Sequence, residues 1–356
     1  MIGLGGSGLA AIGEVLRRGL SVVGLDAGRV AAGAAGRNGG FLLGGPATAI
    51  HHAAANWGLE AALALYRETL DEISALSALL GPEVIRPTGS LRLAGLPGEP
   101  VDEAEAADRR RELADCTAQL GVLREHSIAV DWYSGELGEG LFLPDDAAMN
   151  PARRALGLAV RYRGRASLFE NSPVTSIEPG LVRTAAGSVS AALIVVAVDG
   201  KLEVLLPELA GRVRSSRLQM LATAPVAAGR LRCPVYGRWG YDYAQQDASG
   251  RLYVGGGRDT DLAAEWTTDT NPTSAVQGWL DRIAARFAGG PINVTHRWAA
   301  SVGYTQDGRP VVAEVRPGVV ACGGYNGTGN LVGPIAARAA VALGLDGVRP
   351  GSYFGG

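Results

Sequence analysis

Residues 3–8 read Gly3-Leu4-Gly5-Gly6-Ser7-Gly8, and the small apolar residues of 9–18 behind them predict a helix packed against a sheet. Gly3, Gly5 and Gly8 follow the G-x-G-x-x-G spacing, in which the missing side chains permit a tight turn, the close approach of a pyrophosphate and close packing of helix on strand. Unpaired N–H groups in the first helical turn, with a dipole equivalent to roughly half a positive charge, favour an anion there without any basic side chain. The junction therefore predicts a dinucleotide site.

Asp26 supports this prediction because it ends the apolar stretch 21–25, where an acidic side chain can accept hydrogen bonds from ribose hydroxyls. The same carboxylate would repel a 2′-phosphate, which disfavours NADP. The turn Gly36-Arg37-Asn38-Gly39-Gly40 follows shortly after, and the combination favours FAD. Only two residues precede Gly3, whereas strands average about five or six residues. We therefore expect a truncated and weakly anchored first strand.

Composition and charge narrow the class of protein. With 356 residues the chain exceeds what one hydrophobic core normally covers, so two interlocked domains are expected. A formal net charge of −2 offers no basic surface for nucleic acid or for anionic membranes. The N-terminal apolar stretch contains Glu14, Arg17 and Arg18, so neither a signal peptide nor a membrane-spanning helix is expected there, and the predicted location is cytoplasmic. The three cysteines are widely spaced, and no metal site is predicted.

Segments typical of a nucleotide-binding domain alternate with segments of another character, so that domain is predicted to be assembled from distant pieces. Apolar residues at helical spacing predict helices over 57–80, 101–120, 151–163 and 272–287. In the third of these, Asn150 is placed as the N-cap and Pro151 at the first turn. In the second, the run Arg109-Arg110-Arg111 is expected on the solvent face. Short strands are predicted over 166–169, 174–178, 181–184 and 189–198.

Residues 232–257 show an alternating, aromatic pattern that predicts a second sheet. If this run is a strand, Trp239, Tyr241 and Tyr243 share one face, because side chains alternate along a strand. Two interpretations of that face are open, namely a packed sheet surface or an aromatic wall over a planar cofactor.

A second glycine-rich junction lies near the end of the chain. The short apolar strand 318–322 enters Gly323-Gly324-Tyr325-Asn326-Gly327-Thr328-Gly329-Asn330, and an Ala-rich helix follows. No G-K-[ST] follows these glycines, which excludes a P-loop. The positive end of the helix is therefore predicted to face an anion that develops during a reaction. Gly329 is expected to use a positive φ there.

Together these motifs resemble the flavin-dependent D-amino-acid oxidase superfamily, above all its glycine oxidase, sarcosine oxidase and gamma-glutamylputrescine oxidase branches. The resemblance covers almost the whole chain and rests on the motifs at 2–8, 36–40, 144–151, 195–197, 303–310 and 323–330. It implies an α/β fold with a Rossmann-like FAD-binding domain assembled from residues 1–45, 145–212 and 300–356. A second α+β substrate domain, built on a mainly antiparallel sheet, would comprise residues 46–144 and 213–299.

The resemblance also implies which residues hold the cofactor. The first junction would bind the FAD pyrophosphate, Asp26 the adenosine ribose and the backbone of Val174 the adenine. The loop 327–330 would present N–H groups to the pyrimidine edge of the flavin, where negative charge accumulates on reduction. The full set predicted to bind FAD is Gly3, Gly5, Gly6, Ser7, Gly8, Asp26, Ala27, Arg37, Asn38, Gly39, Gly40, Val174, Ala197, Gly324, Gly327, Thr328, Gly329 and Asn330.

Val302 departs from the family at a decisive position. Sarcosine-oxidase-like members attach flavin through a cysteine two residues before the tyrosine of their Tyr-Thr motif, and Val302 occupies that place here. FAD is therefore expected to bind non-covalently. In glycine-oxidase-like members an arginine near the same place clamps the substrate carboxylate, so its absence weakens a simple amino-acid interpretation. The sarcosine branch also uses a lysine above the flavin to help oxygen react, whereas the stretch 251–257 offers Tyr253, and Lys201, the only lysine, lies elsewhere.

The sequence therefore predicts an FAD-dependent enzyme that oxidises a small amine or amino acid by hydride transfer to flavin N5. An imine forms and, with oxygen as acceptor, hydrogen peroxide. The residues predicted to line the substrate pocket are Tyr241, Tyr243 and Tyr304, with His296 and Trp298 as weaker candidates.

Several alternatives are open at this point. Arg238 and Arg258 are conceivable carboxylate partners, although a surface position is the expectation for either. A dehydrogenase that passes electrons to an acceptor other than oxygen and a flavin-binding subunit without turnover both fit the motifs. A NAD-linked dehydrogenase is disfavoured, because the stretches 36–40 and 323–330 have no evident task in a NAD site.

Overall fold

The computed structural model describes residues 1–355 of the chain. Its helices within that range are α1 (Gly6–Arg17), α2 (Ala34–Arg37), α3 (Ile50–Trp57), α4 (Leu59–Leu80), α5 (Glu103–Glu125), α6 (Pro151–Tyr162), α7 (Leu202–Leu205), α8 (Leu262–Glu265), α9 (Ser274–Ala288) and α10 (Val332–Asp346). Short 3-10 turns lie at Asp199–Lys201, Pro207–Leu209, Arg238–Gly240 and Arg258–Asp261. No helix among residues 1–355 combines the length and the apolar character needed to cross a bilayer.

The strands are mostly short. They are β1 (Val23–Leu25), β2 (Phe41–Leu42), β3 (Ile85–Arg86), β4 (Ser90–Leu93), β5 (Asp131–Gly135), β6 (Gly138–Leu143), β7 (Ala147–Met149), β8 (Ser167–Phe169), β9 (Val174–Glu178), β10 (Leu181–Thr184), β11 (Gly187–Ser190), β12 (Ile194–Val196), β13 (Arg214–Pro225), β14 (Val235–Gly237), β15 (Asp242–Gln246), β16 (Arg251–Gly256), β17 (Val294–Tyr304), β18 (Val311–Arg316) and β19 (Val319–Gly323).

The first glycine-rich junction grows out of a parallel sheet ordered β8-β1-Ile2-β12-β19, with β18 antiparallel at the edge. Ile2 replaces a whole strand, since it bridges in parallel to Leu25 on one side and to Val196 on the other. The Ile2 N–H donates to the Val195 carbonyl at 2.9 Å, and the Gly3 N–H donates to the Leu25 carbonyl at 2.8 Å. The strand is short, as predicted, but the expectation of weak anchoring is wrong, because both of its edges are hydrogen-bonded.

Helices α1 and α10 pack together against this sheet. Their shared core consists largely of alanines, among them Ala11, Ala336 and Ala340, which are fully buried. Small side chains let the two helices approach closely. Both helices follow the carboxyl ends of parallel strands, so their N-termini meet at the same edge of the sheet, where α/β proteins bind ligands.

The predicted strand 189–198 is wrong, because the chain forms two strands in different sheets. Strand β11 pairs antiparallel with β10, which also pairs with β9, whereas β12 pairs in parallel with β19. The side chains of β11 are mostly exposed, and all three residues of β12 are buried. These two burial patterns require different neighbours, so the chain turns between the strands. Strands β8, β9 and β10 confirm the other predicted segments.

The second large sheet has eight strands in the order β17-β13-β16-β15-β14-β4-β6-β5. Its neighbouring strands are antiparallel, except that β14 and β4 are parallel. Helix α9 covers it with Val276, Leu280 and Phe287, which lie on one face of the helix. This mixed architecture with a mainly antiparallel second sheet confirms the predicted fold class. The division of the chain into two domains at the stated boundaries stays a prediction.

Two of the predicted helices differ in detail from the structure. The segment 57–80 is not one helix, because Gly58 adopts φ +88° and separates α3 from α4. On α5, Arg109 is only half-exposed and donates to the carbonyls of Leu96 and Gly98, so the arginine run is not wholly on the solvent face. Helix α6 begins as predicted, with the Asn150 side chain accepting from the Arg153 N–H at 3.0 Å.

The aromatic run with Trp239, Tyr241 and Tyr243 is not one strand. A 3-10 turn over Arg238–Gly240 separates β14 from β15, and Trp239 adopts φ +53° with an exposed side chain. The N–H groups of Trp239 and Arg238 donate to the Glu112 carboxylate of α5 at 2.6 and 3.1 Å. The expected shared face is therefore wrong, because a buried carboxylate from a distant helix holds this backbone in a turn.

Candidate active site

One cavity of about 1010 Å³ collects most of the predicted site. It is lined by the N-terminus of α1, the loop before α10, the turn 37–39, and side chains from the large sheet. Of the residues predicted to bind FAD, all but Gly8, Gly40 and Gly324 line it, and so do Tyr241, Tyr243 and Tyr304. The structure thus brings together residues that lie more than three hundred positions apart in the sequence, such as Gly3 and Asn330.

The N-terminus of α1 presents unpaired backbone donors to the cavity. Within the described chain, the N–H groups of residues 6–8 donate to no protein acceptor, as is usual in the first turn of a helix. A Cβ atom on Gly8 would lie 1.8 Å from the Gly3 carbonyl oxygen, and one on Gly3 would lie 2.5 Å from that of Ala197. Glycine is therefore required at both positions, although Gly8 supports the turn from behind and does not line the cavity.

Asp26 lies at the end of β1, beside Ala27 and Val174 in the cavity wall. One carboxylate oxygen accepts from the Leu4 N–H at 2.7 Å and the other accepts from the Gly28 N–H at 2.8 Å. A carboxylate oxygen can accept more than one hydrogen bond, so both oxygens keep capacity for hydroxyl donors. The carboxylate is thus fixed in place before any ligand binds.

Arg154 is a cavity residue that the sequence analysis missed. Its side chain is 1% exposed, and a Cβ atom on Gly6 would lie 3.1 Å from Nη1. Nη1 donates to Asn330 at 3.4 Å, while Nε and Nη2 have no hydrogen-bond partner in the described chain. Burial lowers the pKa of Arg154 to about 10. The signal in the sequence was an arginine on the buried face of α6, next to Ala155.

A buried cation at the positive end of a helix is electrostatically unfavourable unless an anion lies between the two. Both Arg154 and the α1 N-terminus line the same cavity and lack partners for some of their donors. The chemistry of this donor set, a guanidinium beside free N–H groups, fits a phosphate or diphosphate.

Two asparagines join the glycine-rich turn 36–40 to the loop before α10. The Asn330 amide donates to the Asn38 side-chain oxygen at 3.0 Å and to the Phe41 carbonyl at 2.8 Å. The Asn38 oxygen also accepts from the Gly40 N–H at 2.7 Å. The two stretches of the predicted flavin site therefore form one hydrogen-bonded unit.

Strand β17 holds the same turn from the other side. Arg37 donates to the Ala299 carbonyl at 3.3 Å, and the Trp298 indole donates to the Arg37 carbonyl at 2.7 Å. Trp298 therefore positions the turn and is absent from the cavity wall, and His296 is exposed beside Thr295. Neither Trp298 nor His296 lines the cavity, so the structure does not support either as a residue of the substrate pocket.

The loop 327–330 also carries free donors. In the described chain the N–H groups of Gly327, Gly329 and Asn330 donate to no protein acceptor, whereas Thr328 donates to the Tyr325 carbonyl at 2.9 Å. Positive φ angles occur at Gly324, Asn326 and Gly327, and not at Gly329. The expectation for Gly329 is therefore wrong, because the left-handed residues of the turn lie before it in the sequence.

Asp199 organises this loop and was missed by the sequence analysis. One carboxylate oxygen accepts from the N–H groups of Gly324 and Tyr325 at 2.9 and 3.2 Å, and the other accepts from the Gly303 N–H at 3.0 Å. Burial raises the pKa of Asp199 to about 6. The carboxyl group thus ties the end of β17 to the loop before α10.

Three tyrosines form the aromatic part of the wall. The Tyr243 ring is confined by two glycines, since a Cβ atom on Gly39 would lie 3.1 Å from it and one on Gly255 would lie 2.4 Å from it. The Tyr304 hydroxyl lies beside the loop, 3.8 Å from a Cβ atom placed on Gly327. Burial raises the pKa of Tyr243 and of Tyr304, so both phenols are protonated donors at neutral pH.

The two arginines considered for carboxylate binding differ in their partners. Arg238 pairs with Asp242 and Asp259, so its charge is already neutralised. Arg258 is half-buried, lines the cavity and stands 4.2 Å from the centre of the Tyr304 ring. The expected surface position is therefore wrong for Arg258.

The three positions at which the sequence departs from the resembled family differ in their relation to the cavity. Val302 lines the cavity. Tyr253 does not line it, and its hydroxyl donates to Asp247 at 3.0 Å. Lys201 lies at the cavity margin and is exposed.

Comparison with known proteins agrees with this geometry. The family described as DAO, FAD dependent oxidoreductase, matches residues 1–343. Gamma-glutamylputrescine oxidoreductase of Escherichia coli (strain K12) is 26% identical over 366 residues, which cover 95% of this chain and 81% of that protein. The structure of glycine oxidase from Bacillus cereus ATCC 14579 is similar with a TM-score of 0.76 at 17% identity, covering 98% of this chain and 95% of that one. L-proline dehydrogenase from P. horikoshii gives a TM-score of 0.73 at 17% identity, covering 97% and 92%. This chain therefore belongs to the DAO family of FAD-dependent oxidoreductases and is an enzyme.

Proposed function

We propose that this enzyme oxidises the C–N bond of a small amine or amino acid to an imine, which water then hydrolyses. The observation that carries the proposal is that two sets of free N–H groups and an aromatic wall share one cavity. FAD, when bound, would supply the acceptor for the hydride that leaves the carbon beside the nitrogen. The names of the relatives, which refer to a putrescine derivative, to glycine and to proline, support a substrate of this class.

The residues on the cavity wall fit FAD. We assign the diphosphate to the N–H groups of Gly6 and Ser7, which line the cavity, together with Arg154, whose unpaired Nε and Nη2 are buried beside Gly6. We assign the adenosine ribose to Asp26 and the adenine to the backbone of Val174. The flavin is assigned to residues 37–40 and to the loop 327–330, whose free N–H groups suit a developing negative charge.

We propose that the cofactor is held without a covalent bond. Val302 lines the cavity where covalent relatives have a cysteine. Of the three cysteines, Cys116 lines the cavity, and burial raises the pKa of its thiol to about 12, so it is not a ready nucleophile.

The three tyrosines are assigned to binding and orienting the substrate. The Tyr304 hydroxyl stands next to the loop that we assign to the flavin. It can therefore bind the substrate nitrogen and hold the carbon attached to it beside the flavin. Tyr243 is immobilised between glycines, and Tyr241 completes the wall. Rigid aromatic walls exclude water and hold the donor carbon about 3 to 3.5 Å from its acceptor. Holding the reacting atoms at this distance is the source of the rate enhancement by positioning.

Oxygen is one proposed acceptor, and a dehydrogenase that uses another acceptor is the second candidate. Tyr253 stands in the stretch where the resembled oxidases have a lysine, and its hydroxyl is engaged by Asp247. The exposed Lys201 lies only at the margin of the cavity. These observations favour a slow reaction of the reduced enzyme with oxygen.

The absorption spectrum of the purified protein tests the proposal. We expect a yellow protein whose flavin bleaches when amines are added without oxygen, and whose colour is wholly released by acid precipitation. Readmitting air and measuring peroxide then separates an oxidase from a dehydrogenase. A protein that is colourless even after FAD addition, or a yellow protein that no amine bleaches, would contradict the proposed activity. Flavin that stays on a peptide after precipitation would contradict non-covalent binding alone.

A further inference from the structure

We propose that Arg258 binds a carboxylate of the substrate, so that the enzyme takes amino acids or N-substituted amino acids in preference to simple amines. The inference rests on the proposed function and names its substrate class. The arginine that serves this purpose in glycine-oxidase-like relatives has no counterpart at Val302, and Arg258 reaches the cavity from a different segment, the turn after β16.

The surroundings of Arg258 are aromatic. Its guanidinium carbon lies 4.2 Å from the ring centre of Tyr304, 5.3 Å from that of Tyr241 and 5.6 Å from that of Trp266. Nη1 is buried and has no hydrogen-bond partner in residues 1–355. Aromatic faces attract the cation, but they accept none of its N–H bonds in the way that an anion would.

Three carboxylates of this part of the large sheet are each paired with another arginine. Asp242 and Asp259 pair with Arg238. Glu265, which precedes Trp266, pairs with Arg217 at 2.8 Å inside the protein. Within the described chain no salt bridge forms at Arg258. The cavity therefore contains a guanidinium without a counter-ion, in a position where desolvation makes an unpaired charge costly.

The position of this cation suits a carboxylate close to the reacting carbon. Arg258 stacks on Tyr304, whose hydroxyl lies beside the loop assigned to the flavin. A ligand bound by Arg258 would thus place the atoms next to its carboxylate beside that loop. A guanidinium offers two parallel N–H donors that match a carboxylate, whereas it repels the ammonium group of a simple amine.

The test uses the FAD-loaded protein and a probe that needs no turnover. Benzoate and its uncharged analogue benzamide are titrated while the flavin absorption spectrum is recorded. In wild-type protein we expect benzoate to perturb the spectrum at much lower concentration than benzamide. Arg258→Met should raise the benzoate Kd about a hundredfold or more, because two charge-assisted hydrogen bonds are lost, and should leave the benzamide Kd unchanged. Arg258→Lys keeps the positive charge but loses the two parallel N–H donors of the guanidinium, so its benzoate Kd should lie between those of the wild type and of Arg258→Met.

Arg214→Met provides the matched control. Arg214 also stacks on Trp266, at 4.3 Å, but it is exposed and does not line the cavity. Its removal should leave the benzoate Kd unchanged. If Arg258 serves only to pack against the rings, Arg258→Met changes the free energy of unfolding and leaves the benzoate Kd as in wild type, which overturns the proposal. A wild-type protein that binds benzoate no better than benzamide overturns it as well.

A second measurement separates this inference from the proposed activity. Amino acids and N-alkyl amino acids, each beside its amide, are mixed with the enzyme without oxygen and flavin bleaching is followed. We expect the acids to saturate at much lower concentration than the amides in wild type and at similar concentration in Arg258→Met. If acids and amides saturate the wild-type enzyme at the same concentration, the role of Arg258 is overturned, whereas the proposed amine-oxidising activity is not contradicted. If no member of the panel bleaches the flavin, the proposed amine-oxidising activity is contradicted. The benzoate titration then still tests whether Arg258 binds a carboxylate.

Discussion

Arg154 shows how a single buried charge links cofactor binding to stability. The fold surrounds this guanidinium with one long hydrogen bond to Asn330 and leaves Nε and Nη2 unpartnered beside the N-terminus of α1. Such a group destabilises the empty protein and stabilises the complex with an anion. Arg154 therefore strengthens anion binding but lowers the free energy of unfolding of the empty protein.

Arg154→Met is predicted to weaken FAD binding by about tenfold to a hundredfold, the value of one charge-assisted hydrogen bond. The same change should leave the free energy of unfolding of the FAD-free protein equal or higher, because the methionine fills the site without charge. Fluorescence titration with FAD and urea denaturation measure the two quantities. Arg153→Met, an exposed neighbour on α6, should change neither. Unaltered FAD affinity in Arg154→Met would remove the arginine from the diphosphate site.

Asp26→Ala is predicted to weaken FAD binding more than tenfold, since two hydrogen bonds from ribose hydroxyls are each worth roughly 1.5 to 3 kcal/mol. The carboxylate also accepts from Leu4 and Gly28, so a smaller loss of stability should accompany the change. FAD titration of the refolded protein provides the measurement, with Asp131→Ala on exposed β5 as the control. Wild-type FAD affinity in Asp26→Ala would contradict the ribose assignment.

At the scale of elements, the loop before α10 is shaped by left-handed residues and by one carboxylate. Gly324 and Gly327 adopt φ +68° and +91°, and Asp199 accepts from the N–H groups at the start of the turn. These constraints fix the backbone of the turn that carries the free N–H groups of Gly327, Gly329 and Asn330. Fixed donors of this kind stabilise charge that develops in a reaction.

Gly327→Val is predicted to slow flavin reduction by about a hundredfold to a thousandfold, as is typical when one fixed donor is lost. The reason is backbone strain, because a β-branched residue strongly disfavours φ +91°. Anaerobic stopped-flow reduction measures the rate, and FAD titration should show that the diphosphate site persists. Gly347→Val is the matched control, since Gly347 has φ +68° at the end of α10 with open space around it. Reduction of Gly327→Val at the wild-type rate would make this loop structural only.

At the scale of the whole molecule, several buried carboxyl groups act together. Burial raises the pKa of Glu112 to about 7, that of Asp146 to about 7 and that of Asp199 to about 6. Each of them accepts hydrogen bonds that join distant segments, such as α5 to the turn at Trp239. Since their ordinary pKa values lie near 4, all three favour the protonated form in the folded state.

The free energy of unfolding is therefore predicted to fall as pH rises. A carboxyl group whose pKa is raised on folding contributes its full stability below its ordinary pKa and loses it as the pH passes the raised value. The loss should lie between about pH 4 and pH 7, because this is the range between the ordinary and the raised pKa values of the three groups. Urea denaturation of the FAD-saturated protein at pH 5 and pH 8 measures it. Glu112→Gln should reduce the slope, and Glu139→Gln, an exposed carboxyl on β6, should not. A free energy that rises across this range would contradict the protonated state of these groups.

Local physics determined much of the architecture from the sequence alone. The glycine spacing at 3–8 and the cap of α6 by Asn150 act within a few residues, so their patterns predicted the junction and the helix that the structure contains. Hydrophobic patterns likewise predicted β8, β9, β10 and β19, whereas the class of the fold was implied by the resemblance of the motifs to a known family. The alternating aromatic pattern of 232–257 predicted a second sheet and left an aromatic wall as one of two interpretations. Tyr241 and Tyr243 do line the cavity, although the pattern misjudged the backbone between the strands.

Only the tertiary structure decided which polar side chains face the cavity. Arg238 and Arg258 look alike in the sequence, and they differ because Asp242 and Asp259 lie beside the first and aromatic rings lie beside the second. Arg154 and Asp199 acquired their roles in the same way, from groups brought close by other elements. The physical reason is the range of the forces involved: backbone sterics and capping act between neighbours in the chain, whereas the energy of a buried charge depends on whatever the fold has packed around it.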